Sequence, residues 1–385
     1  MSGGSDSVRV ALFSGNYNYL REGANRALNT LVDYLERQAG CTVRVYSPVT
    51  RTPAFEPAGT LVPVPSIPLP VRGEFRLAPS LPRNVREDIR RFAPQIVHVS
   101  TPDILGTRAE TLARALRVPL VASMHTRFET YLDYYGLGWL RPLAETHLRR
   151  FYRRADHVFA PTPALVAEMK TLRGDDHASL WSRGIDRDLF SPARRDMAWR
   201  RAQGIADDEV AVLFFGRLVR EKGVALYAEV LRVLQERAKV RPLVVGAGPA
   251  EDAIAGLNGA VLTGHLDGVD LARAVASADI MLTPSTTETF GQVVLEAMAS
   301  GLPVISADAP SARALLADGA TGLLVPPREV AAYVAALTRL ADSPGLRARM
   351  GGAAREASAA YSWDAASESV ARVYRALHER GMAAR

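Results

Sequence analysis

With 385 residues, 48% of them hydrophobic and 23% charged, the chain is long enough for two globular domains and too apolar to be disordered. Its single cysteine, Cys41, excludes an intrachain disulfide and a cysteine metal cluster. The net charge of +6 attracts anions in general and leaves nucleic acid, an anionic membrane face and a charged nucleotide open as partners.

The first seven residues, MSGGSDS, are small and polar. They lack the apolar core of a signal peptide and read as a disordered start to a cytosolic protein. Every apolar run falls far short of the ~20 residues that a spanning helix needs. Residues 8–13, VRVALF, predict a short buried strand, followed by a Gly- and Asn-bearing loop from Ser14 to Asn25. Ala27, Leu28, Leu31 and Leu35 then recur at helical spacing. Residues 42–46, 96–99 and 120–124 predict further strands with helical segments between them, and Cys41 reads as a buried residue opening the first of these. Nine prolines between 48 and 82 exclude a long helix or an inner strand, so this stretch reads as an extended excursion over the surface of the first domain.

The charged, turn-rich stretch 182–203 reads as a linker. A second series of strands begins at 210–215 and continues at 242–246, 260–264, 279–283, 303–307 and 322–326. Val370, Val373 and Leu377 mark a packed helix over 364–380. Strands alternating with helices imply an α/β fold with parallel sheets covered on both faces. The expected division is 1–190, 191–362 and a C-terminal helix, 363–385, that can cross back to the first domain. The two parallel-sheet domains are expected to face each other across a cleft, with ligands outside the carboxyl ends of the strands.

The strongest chemical signal is Glu288-Thr-Phe-Gly-Gln-Val-Val-Leu-Glu296, which follows a strand and a Pro284-Ser-Thr-Thr turn. Glu288 falls in the loop at the strand's carboxyl end, and Glu296 about one turn inside the following helix. Amides near Phe290 and Gly291 would form an anion site at that helix's start. A carboxylate on each side of such a site suits sugar and ribose hydroxyls, which donate to it. The plain alternative is a helix cap and a solvated helical residue. The second signal is Gly216-Arg217-Leu-Val-Arg-Glu-Lys222-Gly223, directly after the first strand of the second series. Gly216 permits close approach to a ligand. Arg217 and Lys222 would neutralise a diphosphate leaving group without a metal. A solvated basic turn is the alternative there.

Together these motifs resemble those of the large family-4 retaining glycosyltransferases. The resemblance extends over nearly the whole chain: to Arg183-Gly-Ile-Asp186 with Phe190 and Pro192, Val245-Gly-Ala-Gly-Pro249, Gly264-His265-Leu-Asp and Ala278-Asp279-Ile. It implies the GT-B fold, with two Rossmann-like domains, the first on the acceptor side and the second holding the nucleotide-sugar donor. It also implies roles. Glu296 would hold the ribose hydroxyls and Glu288 the donor sugar. Arg217 and Lys222 would bind the diphosphate, backbone around Gly264 and His265 would meet the base, and Phe290 and Gly291 would lie at the donor. In the first domain His125 would reach the donor sugar near the reacting centre. The loop Tyr19–Arg26, with Gly23, would lie beside phosphates and acceptor. That loop, His125-Thr-Arg-Phe-Glu-Thr-Tyr-Leu and Tyr135-Gly-Leu-Gly-Trp-Leu resemble the branch making bacterial glycolipids, the diacylglycerol mannosyl-, glucosyl- and sulfoquinovosyltransferases. Gln292 and Arg127 depart from that branch. A guanidinium two residues after His125 suits a carboxylate, phosphate or sulfonate, which would make Arg127 a selectivity residue for an acidic donor or an acceptor phosphate. Pairing with Glu129 or Asp133 is the alternative.

Other signals are set aside. Asp186-Arg-Asp188 matches a metal-binding D-x-D but sits in a hinge motif where Asp186 can cap a turn. Gly246-Ala-Gly-Pro lacks the third glycine of a dinucleotide site. His98 reads as a core histidine, and without the resemblance His125 would too. Arg149, Arg150, Arg153 and Arg154, with Arg83, Arg86, Arg90 and Arg91, form either a solvated face or a basic membrane-docking surface.

The expected activity is thus transfer of a hexose or hexuronic acid from a UDP- or GDP-sugar, without metal or other cofactor, to an acceptor hydroxyl on a membrane lipid of diacylglycerol or sphingolipid type. The expected place is the cytosol, with peripheral attachment to the inner face of the cytoplasmic membrane left open. Rivals are a nucleotide-sugar epimerase of the same fold, a glycosyltransferase for polysaccharides or small molecules, and a two-domain solute-binding protein. A nucleic-acid partner is not expected, because no recognised module is present.

Overall fold

The computed structural model describes residues 7–20, 22–69, 72–127, 136–235 and 239–383. The chain divides into two compact units. One comprises Met1–Glu129, Trp139–Arg183 and Trp363–Arg385; the other comprises Thr130–Gly138 and Gly184–Ser362.

The first unit is built on a seven-stranded sheet in the order β3-β2-β1-β6-β7-β8-β9. Its strands are β1 (Val8–Phe13), β2 (Cys41–Ser47), β3 (Thr60–Pro63), β6 (Ile96–Val99), β7 (Leu120–Ser123), β8 (His157–Ala160) and β9 (Ala178–Leu180). All its pairings are parallel. The inner strands are buried along their length, as continuous apolar runs covered by helices on both faces must be. One face packs Phe13, Val97 and Val99 against Ile89, Leu105 and Phe151. The other packs Leu12, Val43 and Val121 against Leu28, Leu31, Val370 and Tyr374. The C-terminal helix Trp363–Ala383 is therefore part of this unit's core.

The proline-rich stretch contributes the edge strand β3 and an antiparallel pair, β4 (Ile67–Leu69) with β5 (Arg72–Leu77). Proline is tolerated there because an edge strand leaves one side of its backbone unpaired. β8 and β9 were not anticipated. Each is three or four residues long and adds to the sheet beyond β7.

The second unit carries a six-stranded parallel sheet, β12-β11-β10-β13-β14-β15. These strands are β10 (Val210–Phe215), β11 (Val240–Val245), β12 (Val261–Leu262), β13 (Ile280–Thr283), β14 (Val304–Ala307) and β15 (Gly322–Val325). The stretch expected as a linker is partly core. Arg200, on the helix Met197–Ala202, is fully buried, paired with Asp279 and bonded to the carbonyls of Ser277 and Glu209. A buried guanidinium needs such a shell of acceptors, and these tie the stretch to β10 and β13. No helix of the described residues is long and apolar enough to cross a membrane.

Candidate active site

β10 and β13 are neighbours in a parallel sheet, so the loops that follow them leave the same edge side by side. Those loops carry the two strongest sequence motifs, and they are knitted together. The hydroxyls of Ser285 and Thr287 each donate to the carbonyl of Glu221 at 3.3 Å. Pro284 packs on Gly223, where a Cβ would come within 3.1 Å of the proline ring. This lacing brings Lys222, on the turn Arg220–Lys222, to Glu288, and Nζ donates to Oε1. The two side chains are 20% and 21% exposed. The ammonium has three donors, so pairing with Glu288 leaves two for phosphate oxygens.

The loop after β11 supports the Arg217 loop from its other side. The Leu218 amide donates to Ala247 O at 3.0 Å, and the Ala250 amide to Leu218 O at 2.8 Å. A Cβ at Gly246 would lie 1.9 Å from Gly216 O, which is why a side chain is excluded there. The Gly246 amide in turn donates to Gly264 O at 2.9 Å, setting the turn that precedes the exposed His265. The glycines that suggested a dinucleotide motif thus serve contact between loops.

Gly291, at φ +94°, caps the helix Gln292–Ala299, and its carbonyl accepts from the Val294 and Leu295 amides. The amides ahead of these, on Gln292 and Val293, precede the first intrahelical bond, and such amides favour an anion. Glu296 lies in this helix and is only 4% exposed. Phe290 is also buried, edge-on to Tyr361 with ring centroids 6.0 Å apart, so its side chain anchors the loop in the core. The Gln292 amide donates to Gly184 O at 3.2 Å, and its Oε1 is buried without a hydrogen-bond partner. The second unit therefore arrays Gly264, His265, Arg217, Lys222, Glu288, Phe290, Gly291 and Glu296 on loops and one helix start along a single sheet edge.

In the first unit His125 follows β7 and is buried. Its Nε2 bonds Ser123 Oγ at 2.8 Å and its Nδ1 bonds Arg183 Nη2 at 2.9 Å. Burial first, then the Arg183 cation, hold its pKa well below the ordinary histidine value. His98 is a core histidine as expected, fully buried, and burial depresses its pKa to about 3. Gly23 is not in a loop, as the spacing suggested, but is the first residue of the helix Gly23–Arg37. Asn25 and Asn29 draw the preceding loop onto that helix through bonds to Leu20 O and Tyr17 O at 2.9 and 3.0 Å. Arg127 is ion-paired with Glu168, on the helix Pro163–Arg173. The expected alternative partners Glu129 and Asp133, and the residues 128–135 of the glycolipid-branch motifs, lie outside the described residues.

Asp186 caps its turn as expected, its Oδ1 accepting from the Asp188 and Leu189 amides at 3.0 and 2.8 Å. The basic cluster on the helix Arg141–Arg154 is of two kinds. Arg149, Arg150 and Arg153 are exposed. Arg153 donates to Leu172 O at 2.9 Å, and Arg154 lies 3.5 Å from Glu110, which is buried in the core. Near the first two, Trp139 and Leu143 are 75% and 69% exposed. A groove of about 630 Å³ lies in the same unit, lined by Leu77, Pro79, Pro102, Ile104, Arg108 and His147 among others. No local sequence signal announces it, because its walls come from three separate segments.

The sequence matches two family models, Glycosyltransferase Family 4 over residues 21–189 and Glycosyl transferases group 1 over 196–357. It is 34% identical to a GDP-mannose-dependent alpha-mannosyltransferase of Mycolicibacterium smegmatis, across 96% of this chain and 98% of that protein. It is 32% identical to a sulfoquinovosyl transferase of Arabidopsis thaliana, across 94% of this chain and 72% of that one. An alpha-monoglucosyldiacylglycerol synthase of Streptococcus pneumoniae is 27% identical over 82% of this chain and 75% of its own length. Among solved structures, sucrose-phosphate synthase from Thermosynechococcus elongatus superimposes with a TM-score of 0.76 at 20% identity, covering 97% of this chain and all of that one. At that identity the likeness speaks for the fold. Two parallel sheets flanked by helices, the two motif-bearing loops at one sheet edge and full-length relatives together make the chain a member of the family-4-type glycosyltransferases of GT-B fold, related to mannosyl-, glucosyl- and sulfoquinovosyltransferases.

Proposed function

We propose that this nucleotide-sugar-dependent glycosyltransferase is a retaining, metal-independent hexosyltransferase. It moves a hexose or hexuronic acid from a UDP- or GDP-sugar to a hydroxyl of a membrane lipid of diacylglycerol or sphingolipid type. The observation that carries the reading is the juxtaposed Lys222 and Glu288 beside the helix start that leads to buried Glu296. Two carboxylates that accept from hydroxyls and cations that meet phosphate are the groups a nucleotide sugar requires. We assign Glu296 to the ribose, Glu288 to the donor sugar, Arg217 and Lys222 to the diphosphate, and the Gly264–His265 backbone to the base. In the first unit we assign His125 to the donor sugar, Gly23 to phosphates and acceptor, and Arg127 to donor selectivity.

The acceptor hydroxyl attacks on the face from which the diphosphate departs. The departing oxygen takes the hydroxyl proton, while Arg217, Lys222 and the first-turn amides of the helix Gln292–Ala299 stabilise the charge that grows on it. These two cations provide that stabilisation without a divalent ion. For the acceptor, the reading draws on the diacylglycerol-named relative and on exposed Trp139 and Leu143 beside exposed Arg149 and Arg150. Apolar side chains with flanking cations suit the surface of an anionic membrane.

The test is a thermal-shift panel of nucleoside diphosphates, then turnover of the stabilising donor with lipid extracts in chelator. Sugar transferred to lipid with its anomeric configuration kept supports the reading. Release of free nucleotide without acceptor points instead to an epimerase, and rescue only by magnesium or manganese refutes metal independence.

A further inference from the structure

A line of buried polar side chains runs through the first unit and ends on His125. The register pairs His98 on β6 with Val121 on β7. Ser123 and His125 lie two and four residues further on, so the period of two brings Ser123 onto the same sheet face as its neighbour His98. His98 Nε2 bonds Ser123 Oγ at 2.9 Å, and Ser123 Oγ bonds His125 Nε2 at 2.8 Å. At the far end, His98 Nδ1 bonds the hydroxyl of Tyr374 at 2.6 Å. Tyr374 stands on the C-terminal helix, 276 residues away in sequence, and is fully buried. At the near end, Arg183 Nη2 lies 2.9 Å from His125 Nδ1. The Arg183 guanidinium is held by the Trp181 and Ser182 carbonyls at 3.1 and 3.3 Å and stacks over the Trp181 ring at 5.1 Å. Trp181 itself meets His125 edge-on at 5.2 Å.

The proton count follows from the chemistry of the partners. A guanidinium can only donate, so Nδ1 of His125 must be the acceptor. The one proton of a neutral ring is then on Nε2, where it is donated to Ser123 Oγ. A second proton on Nδ1 would face the Arg183 cation. Burial keeps His98 neutral, so one of its ring nitrogens donates to its hydroxyl partner and the other accepts, in whichever direction the Ser123–His98–Tyr374 bonds point. We propose that Arg183, Ser123, His98 and Tyr374 are positioning residues that lock His125 as the neutral, Nε2-protonated tautomer, so that it contacts the donor sugar as a fixed ring and not as an acid or base. The inference rests on the assignment of His125 to the donor sugar. It agrees with a mechanism in which the leaving phosphate, and no protein base, takes the acceptor proton. It also gives the C-terminal helix a part in placing His125, through Tyr374.

Arg183 and His98 face His125, and each opposes a second proton on its ring. The experiment is nitrogen NMR of the full-length enzyme with labelled histidine, alongside pH profiles of turnover. In wild type, His125 should show a protonated Nε2, an unprotonated Nδ1 and no titration from about pH 5 to 8, the range in which an ordinary histidine ionises. Arg183→Met should free Nδ1 to carry the ring proton, so that the nitrogen spectrum shows Nδ1 protonated or a mixture of tautomers, with kcat lowered at every pH because burial still keeps the ring neutral. Arg183→Lys, which keeps a donating cation, should restore the Nε2-protonated form. Tyr374→Phe should lower kcat about 10-fold, as a displaced contact does, with the donor KM unchanged and the fold retained by thermal melting. A protonated Nδ1 or a titrating His125 in wild type, or full kcat in both Tyr374→Phe and Arg183→Met, overturns the proposal. Failure of the underlying site reading is seen separately, as full activity in Glu288→Gln.

Discussion

The ion pair between Lys222 and Glu288 allows the catalytic assignment to be tested with stability held apart from chemistry. The side chains are about one-fifth exposed, 20% and 21%. Fully exposed pairs contribute ~0–1 kcal/mol, whereas breaking a buried pair costs ~3–5 kcal/mol. Glu288→Ala or Lys222→Ala should therefore cost about 1–2 kcal/mol of stability, lowering the melting midpoint by roughly 2–8 °C in a domain of this size. The double variant should lose less than the sum, because both singles break one interaction. Turnover should fall much further. Removing one preorganised contact to developing charge typically costs ~100-fold, about 2.7 kcal/mol. Each variant should thus be folded at 25 °C and at least ~100-fold slower with a saturating nucleotide-sugar donor. Full turnover in either single variant, with a melting midpoint inside the stated range, removes the pair from the active site.

Three further predictions follow from particular side chains. Charge reversal at Arg149 and Arg150 should weaken salt-sensitive binding to anionic liposomes, since each cation at such a surface contributes ~1 kcal/mol within a Debye length; unchanged binding returns this helix face to plain solvation. Arg154 is left intact in that test because it pairs with buried Glu110. Glu110 itself is raised from 4.5 to about 7, chiefly by burial and against the pull of Arg154. Its ionisation is opposed in the folded state, so stability should fall as pH rises from about 4.5 to about 7. Glu110→Gln should accordingly raise the melting midpoint at pH 8, by at most about 3 kcal/mol in stability, with the gain vanishing toward pH 5; a gain that persists at low pH contradicts the assigned cause. Arg127→Ala should abolish a preference for acidic over neutral hexose donors, whereas an unchanged ratio leaves Arg127 as the partner of Glu168 alone.

Much of the fold was legible because burial on both faces writes itself into consecutive residues. Residues 10–13, VALF, and 210–215, VAVLFF, have no polar position, and they became the cores of the central strands β1 and β10. The strands β8, HVFA, and β9, ASL, were missed. The stretch 182–203 misled because its charged, turn-rich character was read as a linker. Arg200 is charged and fully buried, its cost met by Asp279 and backbone carbonyls that no local pattern announces. Gly23 was placed in a loop because the apolar helical period begins only at Ala27, whereas the helix itself starts at Gly23.

The site divides along the same line. From the sequence alone came the glycosyltransferase motifs, the placement of Glu288 and Glu296 on either side of a helix start, and the pairing of Asp186 with its own turn. Each of these is a relation among residues a few positions apart, and local backbone geometry decides it. Only the tertiary structure could decide that Lys222 meets Glu288, 66 residues on, because that contact depends on β10 and β13 being neighbours and on Ser285 and Thr287 bonding the Glu221 carbonyl. It alone set Arg154, which pairs with buried Glu110, apart from exposed Arg149, Arg150 and Arg153, since helical spacing does not say what a neighbouring helix presents. It alone joined Tyr374 to His98 and His125 to Arg183, contacts spanning 276 and 58 residues. Sequence spacing reports which face a side chain leaves from, whereas a hydrogen bond also requires the partner that the packed fold brings to that face.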